Sequence, residues 1–204
     1  MRKTLFVLGL FAALAAYAPN SATSADDAKK DVVAKAADDA KEFFNGKDTT
    51  GWEGIEKYWT VKDGAIIGST LDGKIPHNTF LCSKKRYKDF ELSFKVRLKD
   101  GDGNSGVQVR SEIDNKEKFT CKGPQCDIAL GYWGSLYGEN FGGMMKEADK
   151  TAVEKVLKKA DFNDYYIKVV GKHCTIKLNG IASPRRRSDR PDRCPELLWV
   201  PRWT

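Results

Sequence analysis

Phe90-Glu91-Leu92-Ser93-Phe94-Lys95-Val96-Arg97-Leu98 alternates without a break. Phe90, Leu92, Phe94, Val96 and Leu98 fall on one face, and Glu91, Lys95 and Arg97 on the other. A period of two is the period of a strand. A strand apolar on one face and charged on the other is half-buried in an antiparallel sheet. The stretch therefore predicts an all-β domain with one covered and one solvated sheet face.

The segments on either side continue the pattern. Upstream, Tyr58-Trp59-Thr60-Val61, Lys62-Asp63-Gly64 and Ala65-Ile66-Ile67-Gly68 read as a hairpin around an Asp-Gly turn. Thr79-Phe80-Leu81-Cys82 reads as a further short strand. Downstream, Asp100-Gly101-Asp102-Gly103-Asn104 is a tight turn. It lacks the rest of a twelve-residue calcium loop. Val107 and Val109 then point one way, and Gln108 and Arg110 the other. Tyr165 to Val170, a Gly171-Lys172 turn and Thr175 to Leu178 form a last hairpin, closed by Asn179-Gly180. A helical spacing of Ala152, Val153, Val156 and Leu157 interrupts within residues 148–159. Many short strands with regular turn signals predict a sandwich or jelly roll.

The ends differ from this middle. Arg2 and Lys3 precede an apolar run from Leu5 to Ala16, and Thr23-Ser24-Ala25 offers a cleavage site before Asp26. Residues 1–25 are expected to be a signal peptide lying outside the sandwich, and the rest a periplasmic or secreted protein. The alternative is an uncleaved anchor. No other segment is long and apolar enough to span a bilayer. Residues 26–42, rich in Ala, Asp and Lys, read as a helical tether. Before Ile181 the chain uses Lys 25 times and Arg four times; after it Lys disappears and six Arg arrive among prolines. Residues 182–204 thus form an Arg/Pro-rich tail without period, expected to be disordered or frameshifted, or else a basic arm for an acidic partner. An uncovered sheet edge, with Ile176 and Leu178 short of neighbours, is the expected consequence.

Charge and cysteine usage exclude some functions. Of the net charge of +7, the tail carries +3 and Arg2 with Lys3 another +2. The domain between is nearly balanced and has no basic stripe interleaved with aromatics, so nucleic acid is not an expected partner. Five cysteines in an exported chain allow disulfides and leave at least one thiol over. Cys121 and Cys126 flank Lys-Gly-Pro-Gln, which reads as a loop; a Cys121–Cys126 bridge and two separate thiols are both open. There is no Cys-x-x-Cys pair, and His77 and His173 are the only histidines, so no metal ligands are assigned.

Several short motifs recur in a fixed order. They are Phe44-Asn45-Gly46-Lys47-Asp48 with Gly51-Trp52, Trp59 to Gly64, Asn78 to Leu81, Lys88 to Leu92, Asn104-Ser105-Gly106-Val107 with Arg110, Leu136-Tyr137, Asn163-Asp164-Tyr165, and Leu178-Asn179-Gly180. Together they resemble the 3-keto-disaccharide hydrolase domain family over residues 43–181. The resemblance implies a concanavalin A-like jelly-roll β-sandwich, incomplete here at its C-terminal end. It also implies an enzyme that cleaves 3-keto-glycosides, with an oxidised di- or oligosaccharide as partner. The 3-ketone acidifies the neighbouring C2–H; a base takes that proton, the enolate expels the C1 substituent, and water adds later. Such chemistry needs a base, a partner for the enolate oxygen and a donor for the leaving oxygen.

On this resemblance Asp127 is the candidate base and Arg110 the partner of the enolate. Tyr137 or Glu139 would protonate the leaving group or stack on the sugar. Gln125, Asn104 and Gln108 are candidate substrate-binding residues. Gln125 and Asp127 are two apart, as are Gln108 and Arg110, so Arg110, Gln125 and Asp127 are expected on one face with Tyr137 at its edge. The chain departs from the family in reading Gly123-Pro124-Gln125-Cys126-Asp127 where Glu-x-Gln is commoner, and in having Phe162 where Trp is usual. No cofactor is assigned, and a divalent-metal requirement stays open. A two-carboxylate glycosidase would instead pair Asp127 with Glu139 or Glu112. A non-catalytic carbohydrate-binding module on the same fold is the alternative function, and a structural envelope protein a third.

Overall fold

The structure, a computed structural model, describes residues 5–9, 38–70, 73 and 75–182. Two antiparallel sheets face each other. The alternating stretch forms one nine-residue strand, β6 (Phe90–Leu98), in the middle of the larger sheet. Leu92, Phe94, Val96 and Leu98 all point into the core, as the alternation requires. The strand before it in space is β12 (Asn163–Val170), paired in turn with β13 (His173–Leu178) and β14 (Ile181–Ala182). On the other side of β6 lie β1 (Leu5–Gly9), β4 (Ala65–Ser69) and β3 (Trp59–Lys62). Asp63 and Gly64, both at positive φ, make the two-residue turn between β3 and β4.

The smaller sheet runs β11 (Gly143–Lys146), β10 (Leu136–Glu139), β9 (Thr120–Ala129), β7 (Asn104–Gln108), and β8 (Glu112–Asn115) also pairs with β9. Its inner face contributes Cys126, Ile128 and Leu136 to a core completed by Tyr165, Ile167 and Val169 from β12 and Ile176 and Leu178 from β13. Trp133, 2 % exposed, packs against Tyr165 in the same core. A helix, Lys150–Val156, caps one end; the Asp149 carboxylate accepts from the Ala152 N–H and so closes its first turn. A short two-stranded pair, β2 (Trp52–Glu53) with β5 (Cys82–Ser83), completes the architecture.

Several expectations need correcting. Leu5–Gly9 does not lie outside the sandwich: it pairs with both β4 and β6. Without it those two strands would face each other across a gap, their N–H and C=O groups unpaired, and a short apolar run is suited to fill it. The strand expected at 79–82 begins at Cys82. Thr79 and Phe80 instead bond to the turn before β9, through Thr79 Oγ1 to Lys118 O and Phe80 N to Phe119 O. Cys121 and Cys126 do not approach each other, because Lys-Gly-Pro-Gln is strand interior rather than loop, and an odd spacing on one strand puts them on opposite faces. Ile176 and Leu178 are 7 % and 3 % exposed, so the last hairpin is covered. Of the tether, residues 38–43 are helical; residues 26–37 and 183–204 lie outside the described residues. No helix among the described residues is long and apolar enough to cross a membrane.

Candidate active site on the smaller sheet

Residues directly opposite on neighbouring antiparallel strands share a face. The register sets Gln108 opposite Gln125 and Gln125 opposite Tyr137. It sets Gly106 opposite Asp127, Asn104 opposite Ala129, and Glu139 opposite Gly123. Six of the seven expected site residues, Asn104, Gln108, Gln125, Asp127, Tyr137 and Glu139, therefore stand on one face of this sheet. It is the face turned away from the core, because Cys126 and Ile128 occupy the other.

A line of side-chain hydrogen bonds crosses that face. Ser111 Oγ donates to Gln108 Oε1 at 2.7 Å, Gln108 Nε2 to Gln125 Oε1 at 3.0 Å, and Gln125 Nε2 to Asp127 Oδ1 at 2.8 Å. The direction is fixed from its end, since an ionised carboxylate only accepts. Gly106 makes room for it: a Cβ there would come within 2.5 Å of Gln125 Cγ. Gln125 and Asp127 are both 6 % exposed. Burial pushes the Asp127 carboxyl up to about 6, against the Gln125 hydrogen bond that lowers it, with the Glu139 charge adding to the rise. Below, Tyr165 Oη donates to the Asp127 carbonyl at 2.9 Å and ties the site strand to the core.

Glu139 is held by Asn78, whose Nδ2 donates to Oε1 at 2.9 Å. Tyr137 is half-buried beside Gln125, and its hydroxyl makes no hydrogen bond to another described residue. A cavity of about 1150 Å³ runs beside β7, walled by Trp52, Tyr58, Trp59 and Tyr87 and reached by Gln108 and Gln125. Asp127, Tyr137 and Glu139 do not line it. The titrating group that burial shifts, Asp127, therefore lies outside the cavity lining. The cavity begins at the amide end of the line.

Arg110 is the exception. It lies two residues past the end of β7 and has a φ of 53°, so strand alternation no longer governs its direction. Its guanidinium reaches the larger sheet: Nη2 contacts Asp89 Oδ1 at 2.7 Å, Nε and Nη2 donate to Gly171 O, and Nη1 donates to Lys88 O. Arg110 thus fastens the entry of β6 to the β12–β13 turn and is not brought together with Asp127. Glu112 sits exposed on β8, opposite Lys122. Tyr132 is an exposed rim residue, 46 % accessible, with the Lys150 ammonium over its ring. The turn at 100–104 has Asp100 and Gly101 at positive φ, as a tight turn requires. No cluster of three or more potential metal ligands occurs among the described residues.

Sequence reading missed Ser111 and Asn78 as parts of this network. Ser111 carries no strand or motif signal. Asn78 stands at the head of a quoted motif, but its partner is 61 positions away.

A two-sheet antiparallel sandwich with a raised carboxyl set among amides and a tyrosine on one sheet face is the kind of frame on which glycoside chemistry can be built. Comparison with known proteins gives the class. Residues 39–193 match the 3-keto-alpha-glucoside-1,2-lyase-like domain, and the chain belongs to that family. The match runs past Ile181 into the Arg/Pro-rich segment. A solved structure described as a "putative glycosyl hydrolase" from Parabacteroides distasonis shares the fold, with a TM-score of 0.51 at 22% identity, covering 72% of this chain and 73% of that one. No curated protein matches the sequence. The family makes this a carbohydrate-active protein, of a kind that acts on glycosides.

Proposed function

We propose that this protein cleaves 3-keto-glycosides by proton abstraction at C2 and loss of the C1 substituent. The observation that carries the reading is the Asp127 carboxyl, raised to about 6 and oriented by Gln125 on the sheet face that also holds Tyr137. A base with that affinity is ionised at neutral pH and still binds a proton well enough to remove one from carbon.

In this reading Asp127 takes the C2 proton, the electron pair forms the C2–C3 enolate, and its return breaks the C1–O bond. The products are the 1,2-unsaturated 3-ketone and the leaving alcohol; water added across the double bond completes a hydrolysis. The Tyr137 hydroxyl is the donor to the departing oxygen, and Glu139 binds a sugar hydroxyl. Gln108 and Asn104 extend the binding face toward the cavity. Arg110 has no part in the chemistry, since its donors are committed to Lys88, Asp89 and Gly171. The leader-like composition of residues 1–25 supports action outside the cytoplasm.

The test is incubation of the purified protein with a 3-keto-disaccharide and with its unoxidised parent. Release of the C1 alcohol from the keto sugar alone, with deuterium from the solvent appearing at C2 of unconverted substrate or hydrated product, supports the proposal. Saturable binding with no product would make the domain a carbohydrate-binding module, and cleavage of the unoxidised parent would point to a two-carboxylate glycosidase.

A further inference from the structure

The four described cysteines fall into two facing pairs. Cys82 Sγ lies 3.9 Å from Cys121 Sγ, and Cys126 Sγ lies 3.8 Å from Cys174 Sγ. The pairs differ in where they lie. Cys126 is fully buried and faces Cys174 across the core between the two sheets, away from the cavity. Cys82 and Cys121 sit on segments that are hydrogen-bonded two residues earlier, Phe80 N to Phe119 O at 2.9 Å. That bond holds the two segments side by side, and the 3.9 Å between the sulfurs leaves roughly 2 Å to close to a bonded S–S length of about 2.05 Å.

We propose that Cys82 and Cys121 form a disulfide in an oxidising compartment, a clasp that fixes residues 78–83 against β9 beside the candidate site. The segment matters because Asn78, four residues before Cys82, holds Glu139 on the site face. Both thiols line the cavity, which gives an oxidant its approach. Cys82 is half-buried and Cys121 buried, and the contact between them lowers the Cys82 thiol while raising that of Cys121. Cys82, the more accessible of the two, is the attacking thiolate.

The co-reactant is a disulfide, either of a thiol–disulfide oxidoreductase or of a small molecule such as oxidised glutathione. Cys82 S⁻ attacks one of its sulfurs, forming a mixed disulfide and releasing one thiolate. Cys121 then loses its proton and attacks Cys82 Sγ, expelling the second thiol. Two protein thiols become one disulfide while one external disulfide becomes two thiols, so electrons and protons balance.

The experiment uses the full chain, oxidised with glutathione disulfide, alkylated and digested with trypsin without reduction. Cleavage at Lys and Arg puts Cys82 in peptide 75–84, Cys121 in 119–122, Cys126 in 123–146 and Cys174 in 173–177. The expected product is peptide 75–84 linked to 119–122. Reduction should also lower the melting temperature by several degrees and expose peptide 75–84 to earlier proteolysis. Cys82→Ser should melt at the reduced value with or without reductant. Recovery of 75–84 and 119–122 only as alkylated thiols, or either of them linked to another cysteine peptide, overturns the proposal. Mapping is done on the unaltered chain, so a variant that fails to fold leaves the test intact.

Discussion

Gln125 Nε2 donates to Asp127 Oδ1 at 2.8 Å from two residues away on the same face of β9. That one bond orients the only carboxylate of the site face that burial lifts to about 6, and Gln108 and Ser111 hold Gln125 in place behind it. The arrangement makes the proposed base depend on a line of neutral amides rather than on a cation.

Replacing Asp127 by Asn keeps size and polarity and removes the base. On a 3-keto-disaccharide, kcat for Asp127→Asn should fall by about 10²–10⁴, the usual contribution of general-base catalysis, while KM changes by only a few-fold. Steady-state kinetics on the two proteins decides it; an unchanged kcat would remove Asp127 from the mechanism.

The raised carboxyl gives two pH signatures of opposite sense. Activity needs the ionised form, so kcat/KM should rise with pH and level off above about 6. Stability runs the other way. A carboxyl raised on folding contributes most below its unfolded value near 4, and that contribution is lost as pH rises through about 6. At pH 7.5 Asp127→Asn should therefore melt several degrees higher than the parent protein, and the gap should close at pH 4. Melting curves at the two pH values read this directly.

Gly106 offers a finer test. An alanine there would push its Cβ to within 2.5 Å of Gln125 Cγ and displace the amide from Asp127. The lost hydrogen bond is the contribution that lowers the carboxyl. Gly106→Ala should move the rising limb of the pH–kcat/KM profile above 6, whereas an effect on folding alone would lower activity at every pH without moving the limb.

How much of this was legible follows from how far strand alternation reaches. It placed β6, the β3–β4 hairpin and the shared face of Gln125 and Asp127, because each is a regular strand or a two-residue turn. It failed at Arg110, where a positive φ just beyond the end of β7 turns the side chain to the other sheet. Lys-Gly-Pro-Gln read as a loop from composition, yet the cross-strand bond from Val109 N to Pro124 O and the pairing of Pro124 with Gly138 keep it in the sheet. The family was legible because its motifs sit in order; Ser111 and Asn78 were not, because their partners are set by register and by contacts between distant segments.

Arg110 should prove structural. The Asp89 carboxyl is lowered, first by the Gly171 N–H and then by Arg110. A carboxyl lowered on folding contributes above its unfolded value near 4 and loses that contribution as pH falls through its folded value. Arg110→Ala should destabilise the protein by roughly 1.5–3 kcal/mol at neutral pH, the range for hydrogen bonds to a charged group, with kcat nearly unchanged. Arg110→Lys should recover little, because a single ammonium cannot serve Lys88, Asp89 and Gly171 together. Denaturant midpoints at pH 7 and pH 3, where the difference should shrink, test it; a large fall in kcat at unchanged stability would return Arg110 to the site.

Leu5–Gly9 sets the last prediction, because it cannot both be removed with a leader and remain in the sheet. Its five residues are in register with β4, and four of them with β6, so that it joins two strands that have no other contact along those edges. A chain beginning at Asp26 leaves both edges open. With net gains of about 0.5–1.5 kcal/mol for each hydrogen bond, losing this strand should cost several kcal/mol, and open edges recruit strands from other molecules. The shortened chain should melt well below the full one and associate as its concentration rises, which differential scanning calorimetry and sedimentation velocity would measure. Equal melting temperatures and a monomer at all concentrations would show that another segment closes the gap once residues 1–25 are gone, and that Leu5–Gly9 holds the place of that segment rather than belonging to the mature sheet.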